Sequence, residues 1–243
     1  MSKSKIYKLF KILISFNFAW YKALFLYGTA PGLEHRAILQ KTRKVKTIID
    51  IGANKGQFAL FANYFYPGAD IFCFEPIKSP FSILNKIFKN NGNVYLTNSA
   101  VGNDSGKIQI NVSKQEDSSS ILEITKKQEL IFPGTYKKKT EIVNLIMLDK
   151  EMNSDQLQEE ILIKIDVQGF ELEVLKGSEK ILTKSKFVYV ESSFVELYKN
   201  QSQINDLIKF LIERNFILDG VYNISYDKKN NPIQGDFLFL NRQ

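Results

Sequence analysis

The sequence predicts an α/β fold, a mostly parallel sheet with helices on both faces. Three observations predict it. From residue 47 on, short β-branched apolar runs alternate with segments of helical composition, and parallel strands need crossovers of that kind. The first run passes directly into a glycine-bearing turn with a helix behind it, the arrangement of an α/β unit that binds ligands at its strand ends. The size also fits: 243 residues, 44% hydrophobic and 24% charged, suit one α/β domain with a modest extension. We divide the chain into a basic, aromatic-rich helical extension, residues 1–46, and a body, residues 47–243.

Val45 to Ile51 is the first strand, a β-branched run. Gln57 to Tyr66 reads as a helix closed by Pro67-Gly68. Asp70 to Glu75 is the second strand, Pro80 to Lys89 the next helix, and Val94 to Val101 the third strand. Residues 102–150 behave differently. Short alternating pieces, Lys107–Val112 and Thr140–Leu145, flank a Ser-rich turn and a Lys-rich loop around Pro133-Gly134, so an antiparallel insertion with loops is expected. The alternation then resumes: strand Ile161–Asp166, helix Phe170–Leu182, strand Phe187–Glu191, and helix Ser202–Arg214 opened by Ser202 as N-cap. Strands Phe216–Tyr222 and Asp236–Leu240 close the sheet.

Charge is unevenly placed. Residues 1–46 hold ten Lys or Arg against the single acid Glu34, a net of +9; from residue 47 on, 23 bases face 25 acids, a net of −2. A nucleic-acid enzyme needs basic charge around its cleft, so this body argues against a nucleic-acid partner. Residues 5–27 are aromatic and apolar, but the longest charge-free run, Ile12 to Tyr21, is ten residues, too short to span a membrane. Two placements fit the segment. We favour a helix docked on the body; the other is an interfacial helix with Phe16, Phe18, Trp20 and Tyr21 among lipid headgroups and Lys near anionic lipid. The lone Cys73 lies in an apolar run and no Cys/His cluster has zinc spacing, which suits a buried thiol in a reducing cytosol. The expected location is cytoplasmic, with peripheral contact at the inner face of the membrane as the second placement would have it.

The most informative stretch is Asp50-Ile51-Gly52-Ala53-Asn54-Lys55-Gly56. Gly52 allows a tight turn, and Gly56 lets the next helix pack close and the backbone approach a ligand. Asn54 stands where a dinucleotide fold has a glycine against the pyrophosphate, which favours S-adenosylmethionine over NAD. An acid at Asp50 holds the methionine end in methyltransferases. Glu75, ending the second strand, suits both ribose hydroxyls, and Pro76 stops the strand there.

With these pieces the sequence resembles the FkbM family of methyltransferases. The resemblance also rests on Phe74-Glu75-Pro76, Ser118-Ser119-Ser120-Ile121-Leu122, Leu148-Asp149, Val190-Glu191 and Gln234-Gly235-Asp236. Its most specific piece is Lys164-Ile165-Asp166-Val167-Gln168-Gly169-Phe170-Glu171. It spans Glu34 to Leu240. It implies a class I methyltransferase (Rossmann-like) fold, a seven-stranded sheet with its last strand antiparallel, and O-methylation of sugars, glycans or natural products with S-adenosylmethionine. The alternatives are a non-catalytic nucleoside-binding scaffold on the same fold and an NAD-dependent oxidoreductase.

A sugar hydroxyl is a poor nucleophile and gains from a base. Asp166 is the first candidate, at the carboxyl end of a central strand; its structural alternative is a cap on the following helix. Lys164 shares its face and needs a carboxylate partner, Glu171 or Glu191. Glu191 also suits the acceptor pocket. His35 ranks below Asp166 as base. Ser118–Ser120, Gln234 and Asp236 are candidates for the acceptor side. Mg2+ at Asp166 is the alternative to the base role, but one carboxylate is not a metal site and no metal is predicted. The expected partner is a small-molecule or glycan acceptor; the oligomeric state is not legible.

Overall fold

The computed structural model describes residues 11, 12, 15 and 17–242. Most of the expected interfacial segment before Asn17, including Lys8 and Phe16, lies outside the described residues.

The helices are α1 (Phe18–Tyr27), α2 (Leu39–Thr42), α3 (Gln57–Phe65), α4 (Lys78–Phe88), α5 (Lys126–Ile131), α6 (Leu148–Glu151), α7 (Glu171–Lys176), α8 (Glu179–Lys184) and α9 (Ile204–Ile212). The strands are β1 (Thr47–Ile51), β2 (Asp70–Phe74), β3 (Val94–Thr97), β4 (Ala100–Val101), β5 (Gly106–Ser113), β6 (Lys137–Ile146), β7 (Ile161–Ile165), β8 (Ser185–Ser193), β9 (Phe216–Tyr226) and β10 (Pro232–Asn241).

Seven strands form the main sheet in the order β3-β2-β1-β7-β8-β10-β9. β10 runs antiparallel to both its neighbours, and the remaining pairings are parallel. This is the class I methyltransferase arrangement. Strand order reverses between β1 and β7, so the crevice at their carboxyl ends is where the topology places a ligand. A second sheet, β4-β6-β5, forms the insertion; β5 and β6 pair antiparallel as expected, but β4 joins β6 in parallel.

The period-2 alternation of the central strands divides the core. Ile48, Leu162, Tyr189 and Leu238 pack on one side with α3 and α4. Ile49, Ile51, Ile163, Val188 and Val190 pack on the other with α7, α8 and α9. Asp50 and Lys164 therefore sit on the Ile48–Leu162 side, within apolar surroundings.

α1 docks on the body through one face. Trp20 and Ala23 are buried, and Trp20 Nε1 donates to the Leu60 carbonyl at 3.2 Å. The opposite face leaves Phe18, Phe25 and Leu26 in solvent. Among the described residues no helix is long and apolar enough to cross a membrane.

Several boundaries differ from the sequence reading for physical reasons. The expected helix Phe170–Leu182 is two helices, broken at Gly177, where a Cβ would stand 1.8 Å from the Gly102 carbonyl oxygen. The expected strand Val94–Val101 divides between the two sheets after Thr97. α9 is capped by Gln203 and Asp206 in a reciprocal capping box, not by Ser202. Lys137–Lys139, read as a loop, begin β6.

Candidate active site

The turn after β1 is bound to the end of β2. The amides of Gly52 and Ala53 both donate to the Phe74 carbonyl at 3.0 Å. Asn54 has φ +48, a left-handed conformation that Asn tolerates better than most side chains. Gly52 is needed for a close approach between strands: its φ is +83, and a Cβ would lie 1.9 Å from the Asp166 carbonyl oxygen on the neighbouring strand end. Gly56, by contrast, faces Leu84 and Phe88 of α4. It serves helix packing, and the cleft wall does not include it.

A cleft of about 980 Å3, open mouth included, lies over these strand ends. Gly52, Asn54, Glu75 and Pro76 line it on the β1–β2 side; His35, Lys164, Asp166 and Gln168 line the other. Glu75 is almost fully buried. Its Oε2 accepts from the Asn54 amide at 2.9 Å and its Oε1 from the Ile77 amide at 2.8 Å. Burial pushes its carboxyl up to about 7, against the opposing pull of those amides. Each oxygen keeps a lone pair for a hydroxyl donor. Gln57, also in the wall, has a buried Oε1 that accepts no hydrogen bond from the described residues. A nucleoside carrying a polar, amine-bearing arm fits this donor and acceptor set.

Asp50 lies beneath the cleft, fully buried and outside its wall. It meets Lys164 and makes no direct part of the cleft surface. Lys164 Nζ stands 3.5 Å from Asp50 Oδ1 and 3.2 Å from Asp166 Oδ2, which replaces the expected pairing with Glu171 or Glu191. Burial disfavours the ammonium, but Asp166 and Asp50 together outweigh it and hold the lysine above its usual range. Glu171 instead turns back onto the Gly169 amide at 2.8 Å, and burial pushes it up to about 7. α7 starts without a side-chain cap, so Asp166 is not a helix cap.

One third of the Asp166 side chain is exposed. Burial works against its charge, but Lys164 and a hydrogen bond from Gln168 Nε2 (2.8 Å) prevail and keep it below the usual carboxylate range. The same Gln168 amide donates to Glu191 Oε2 at 2.6 Å, while its Oε1 accepts from the Tyr198 hydroxyl at 2.7 Å. Gln168 thus joins two carboxylates, a role that sequence reading missed. Its φ of +58 is the local signal, but it appears only in the folded backbone. Burial, with Asp166 and Asp236 nearby, raises Glu191 well above its usual range.

Glu191 does not reach the main cleft. It lines an adjoining polar pocket of about 680 Å3, open mouth included, together with Ser118 and Gln234. Asp117, Asp166 and Gln168 belong to both walls. Ser119 faces the main cleft, and Ser120 Oγ donates to the Gln168 carbonyl at 2.6 Å. Asp236 accepts from the Tyr189 hydroxyl at 2.9 Å. His35 Nδ1 lies 3.0 Å from that same hydroxyl, which leaves Nε2 as the imidazole's acceptor. Burial holds His35 below its usual value despite Asp236.

Among the described residues no group of three or more His, Cys, Asp or Glu is arranged to hold a metal ion. The ammonium of Lys164 at Asp166 also works against a cation there.

Residues 50–218 match the methyltransferase FkbM domain family. The chain belongs to this family. The chain is 29% identical over 189 residues to the 2-O-methyltransferase NoeI of Sinorhizobium fredii, covering 73% of this chain and 76% of that one. It is 28% identical over 160 residues to the hexuronic acid methyltransferase AglP of Haloferax volcanii, covering 64% and 59%. Among solved structures, a precorrin-6y C5,15-methyltransferase from Geobacter metallireducens overlays with TM-score 0.47 at 12% identity, covering 84% and 86%. The FkbM domain is a methyltransferase domain, and its signature Lys164–Glu171 builds the wall between cleft and pocket.

Proposed function

We propose that this protein is an S-adenosylmethionine-dependent O-methyltransferase acting on a hydroxyl of a sugar or glycan. The observation that carries the reading is the shared wall: Asp166 and Gln168 line both the nucleoside-sized cleft and the polar pocket beside it. The names of the two relatives support the reading, one a 2-O-methyltransferase and the other directed at a hexuronic acid.

S-adenosylmethionine supplies an activated methyl group when bound. In this reading Glu75 accepts the ribose hydroxyls, Asn54 and Pro76 shape the ribose side, and Gln57 receives the amino group. Gly52 permits the strand approach that sets Asp166 at the boundary. Asp166 takes the proton of the acceptor hydroxyl as its oxygen is methylated. Lys164 keeps Asp166 ionised, and Gln168 fixes its orientation. Glu191 faces the acceptor, and His35 closes the cleft from the N-terminal side. Residues 47–243 carry the chemistry; α1 docks on that body, and its exposed face, with Phe18, Phe25 and Leu26, meets the inner surface of the membrane from the cytoplasm.

Calorimetric titration with S-adenosylhomocysteine, with NAD in a parallel run, tests the cofactor. Binding of S-adenosylhomocysteine alone is expected; binding of NAD alone overturns the reading. Asp166→Asn is expected to slow methyl transfer about 100-fold or more with cofactor affinity nearly unchanged.

A further inference from the structure

We propose that the pocket beside the cofactor cleft takes an uncharged sugar ring and disfavours an anionic one such as a uronate. This rests on the methyltransferase reading above and narrows its acceptor.

The pocket combines three chemistries. The amides of Gln115, Gln128 and Gln234 supply paired donors and acceptors, and Asp117, Asp166 and Glu191 supply carboxylates. Neighbouring ring hydroxyls, each both donor and acceptor, pair with such planar two-atom groups. Phe132 supplies an aromatic face for the C–H side of a ring.

Gln128 points independently to a hydroxyl ligand. It is only 2% exposed, and its Nε2 donates to the Tyr198 hydroxyl at 3.3 Å. Among the described residues no donor reaches its Oε1. A buried carbonyl oxygen in a pocket wall calls for a donor, and a sugar O–H is one.

The charges decide between neutral and anionic rings. Among the described residues lining the pocket there is no Lys, Arg or His, while three carboxyl groups line it. Lys164, below the boundary, is already shared between Asp50 and Asp166. The lysines at positions 55, 114, 138 and 139 lie around a neighbouring depression that shares Gln115 and Asp117 with the pocket, and none of the four lines the pocket itself. A uronate carboxylate in the pocket meets Asp117 and Asp166 without a cation to offset them.

The test incubates the full chain with radiolabelled S-adenosylmethionine and a panel of para-nitrophenyl glycosides. The panel holds gluco-, galacto-, manno-, fuco- and rhamnosides with the matching gluco- and galacturonides. We expect label in a neutral glycoside, with kcat/KM at least about tenfold above any uronide, the worth of one uncompensated charge contact. Equal or preferred use of a uronide, or label in no neutral glycoside, overturns the inference while bound S-adenosylhomocysteine leaves the methyltransferase reading standing. Failure to bind S-adenosylhomocysteine overturns both. Asp117 lies on an exposed loop, so Asp117→Lys is expected to fold and to shift the uronide-to-neutral ratio about tenfold toward the uronide; an unchanged ratio overturns the charge argument. Gln128→Leu is expected to raise the neutral-acceptor KM about tenfold with cofactor affinity intact; an unchanged KM overturns the role of Oε1.

Discussion

Lys164 stands directly across from Asp50 in the parallel pairing of β1 with β7, its ammonium 3.5 Å from a carboxylate that is 0% exposed. No hydrogen bond from the described residues reaches either Asp50 oxygen, so this ion pair is what makes the buried charge tolerable. Lys164→Met leaves Asp50 without it. The expected loss is about 3–5 kcal/mol, the usual cost of stranding one partner of a buried pair. Burial already holds the Asp50 carboxyl above its usual range, and removing the cation raises it further. The folded variant then retains a proton that the unfolded chain releases, so its stability falls as pH rises above the ordinary aspartate range. Urea denaturation at pH 5 and pH 8 reads this against the unaltered chain, and Asp50→Asn in the Lys164→Met background is expected to remove the added pH dependence.

Glu75 offers a pH prediction for binding. Its folded-state value of about 7 lies above the ordinary 4.5. The folded protein therefore keeps a proton between those values that the unfolded chain loses, and Glu75's contribution to stability declines as pH rises through that window. Ribose hydroxyls donate to the ionised form. S-adenosylhomocysteine is thus expected to bind more tightly as pH rises through 7 and to displace a proton below it, measurable by calorimetry in buffers of different ionisation enthalpy. Glu75→Gln removes this dependence and costs about 10–100-fold in affinity. Whichever way the new amide turns, its NH2 faces a backbone N–H of Asn54 or Ile77. A flat pH profile in the unaltered protein contradicts the assignment.

Gly52 separates two costs that glycine replacement can incur. Both Gly52 and Gly68 have positive φ, +83 and +81, but nothing lies within 4 Å of a Cβ at Gly68. Gly68→Ala is expected to cost about 1–2 kcal/mol of left-handed strain alone. Gly52→Ala adds the collision with the Asp166 carbonyl and must displace the end of β7. It is expected to lose at least about 2 kcal/mol more and to depress methyl transfer, since Asp166 moves with its backbone. Equal denaturation midpoints for the two variants contradict the close approach.

Local patterns carried much of the fold. The β-branched runs, the glycine turn and the Glu-Pro strand end each rest on neighbours in sequence, and apart from Val94–Val101, which divides between two sheets, they stand within a few residues of where they are read. What depends on sheet register did not show. Lys164 was matched with Glu171 and Glu191, which lie near it in the chain or on the next strand. Of its two actual partners, Asp166 is only two residues on along the same face, but Asp50 is over a hundred residues away and opposite it only because β1 and β7 pair as they do. The same limit hid Gln128. In the run Lys126-Lys127-Gln128-Glu129 it reads as one more surface polar residue of a short helix, and only packing against Tyr198 buries it. Gly177 looked like a late residue of one helix because the Gly102 carbonyl that forces the break comes from another layer.

The docked placement holds for one face of α1, and of the described residues that the interfacial placement sets among headgroups Trp20 is buried and Tyr21 packs against the core, which leaves Phe18 on the outer face. Trp20 packs against Tyr64 with ring centroids 4.7 Å apart and is buried, so Trp20→Ala is expected to cost about 3–5 kcal/mol. Phe18, Phe25 and Leu26 are 79%, 70% and 64% exposed. With exposed Lys22 they fall at i, i+4, i+7 and i+8, one side of the helix, and Lys86 of α4 with Lys89 just past its end borders the Phe18–Lys22 part of it. Apolar side chains set among lysines suit an anionic bilayer surface, where each nearby cation adds about 1 kcal/mol. The full chain is expected to sediment with vesicles containing phosphatidylglycerol, less so at high salt, and weakly with phosphatidylcholine alone. Phe25→Glu with Leu26→Ser should abolish sedimentation and leave the melting temperature and S-adenosylhomocysteine affinity unchanged, because neither side chain contributes to the core. If the double variant sediments as the unaltered chain does, α1 is a docking helix only, and its free face has no lipid role.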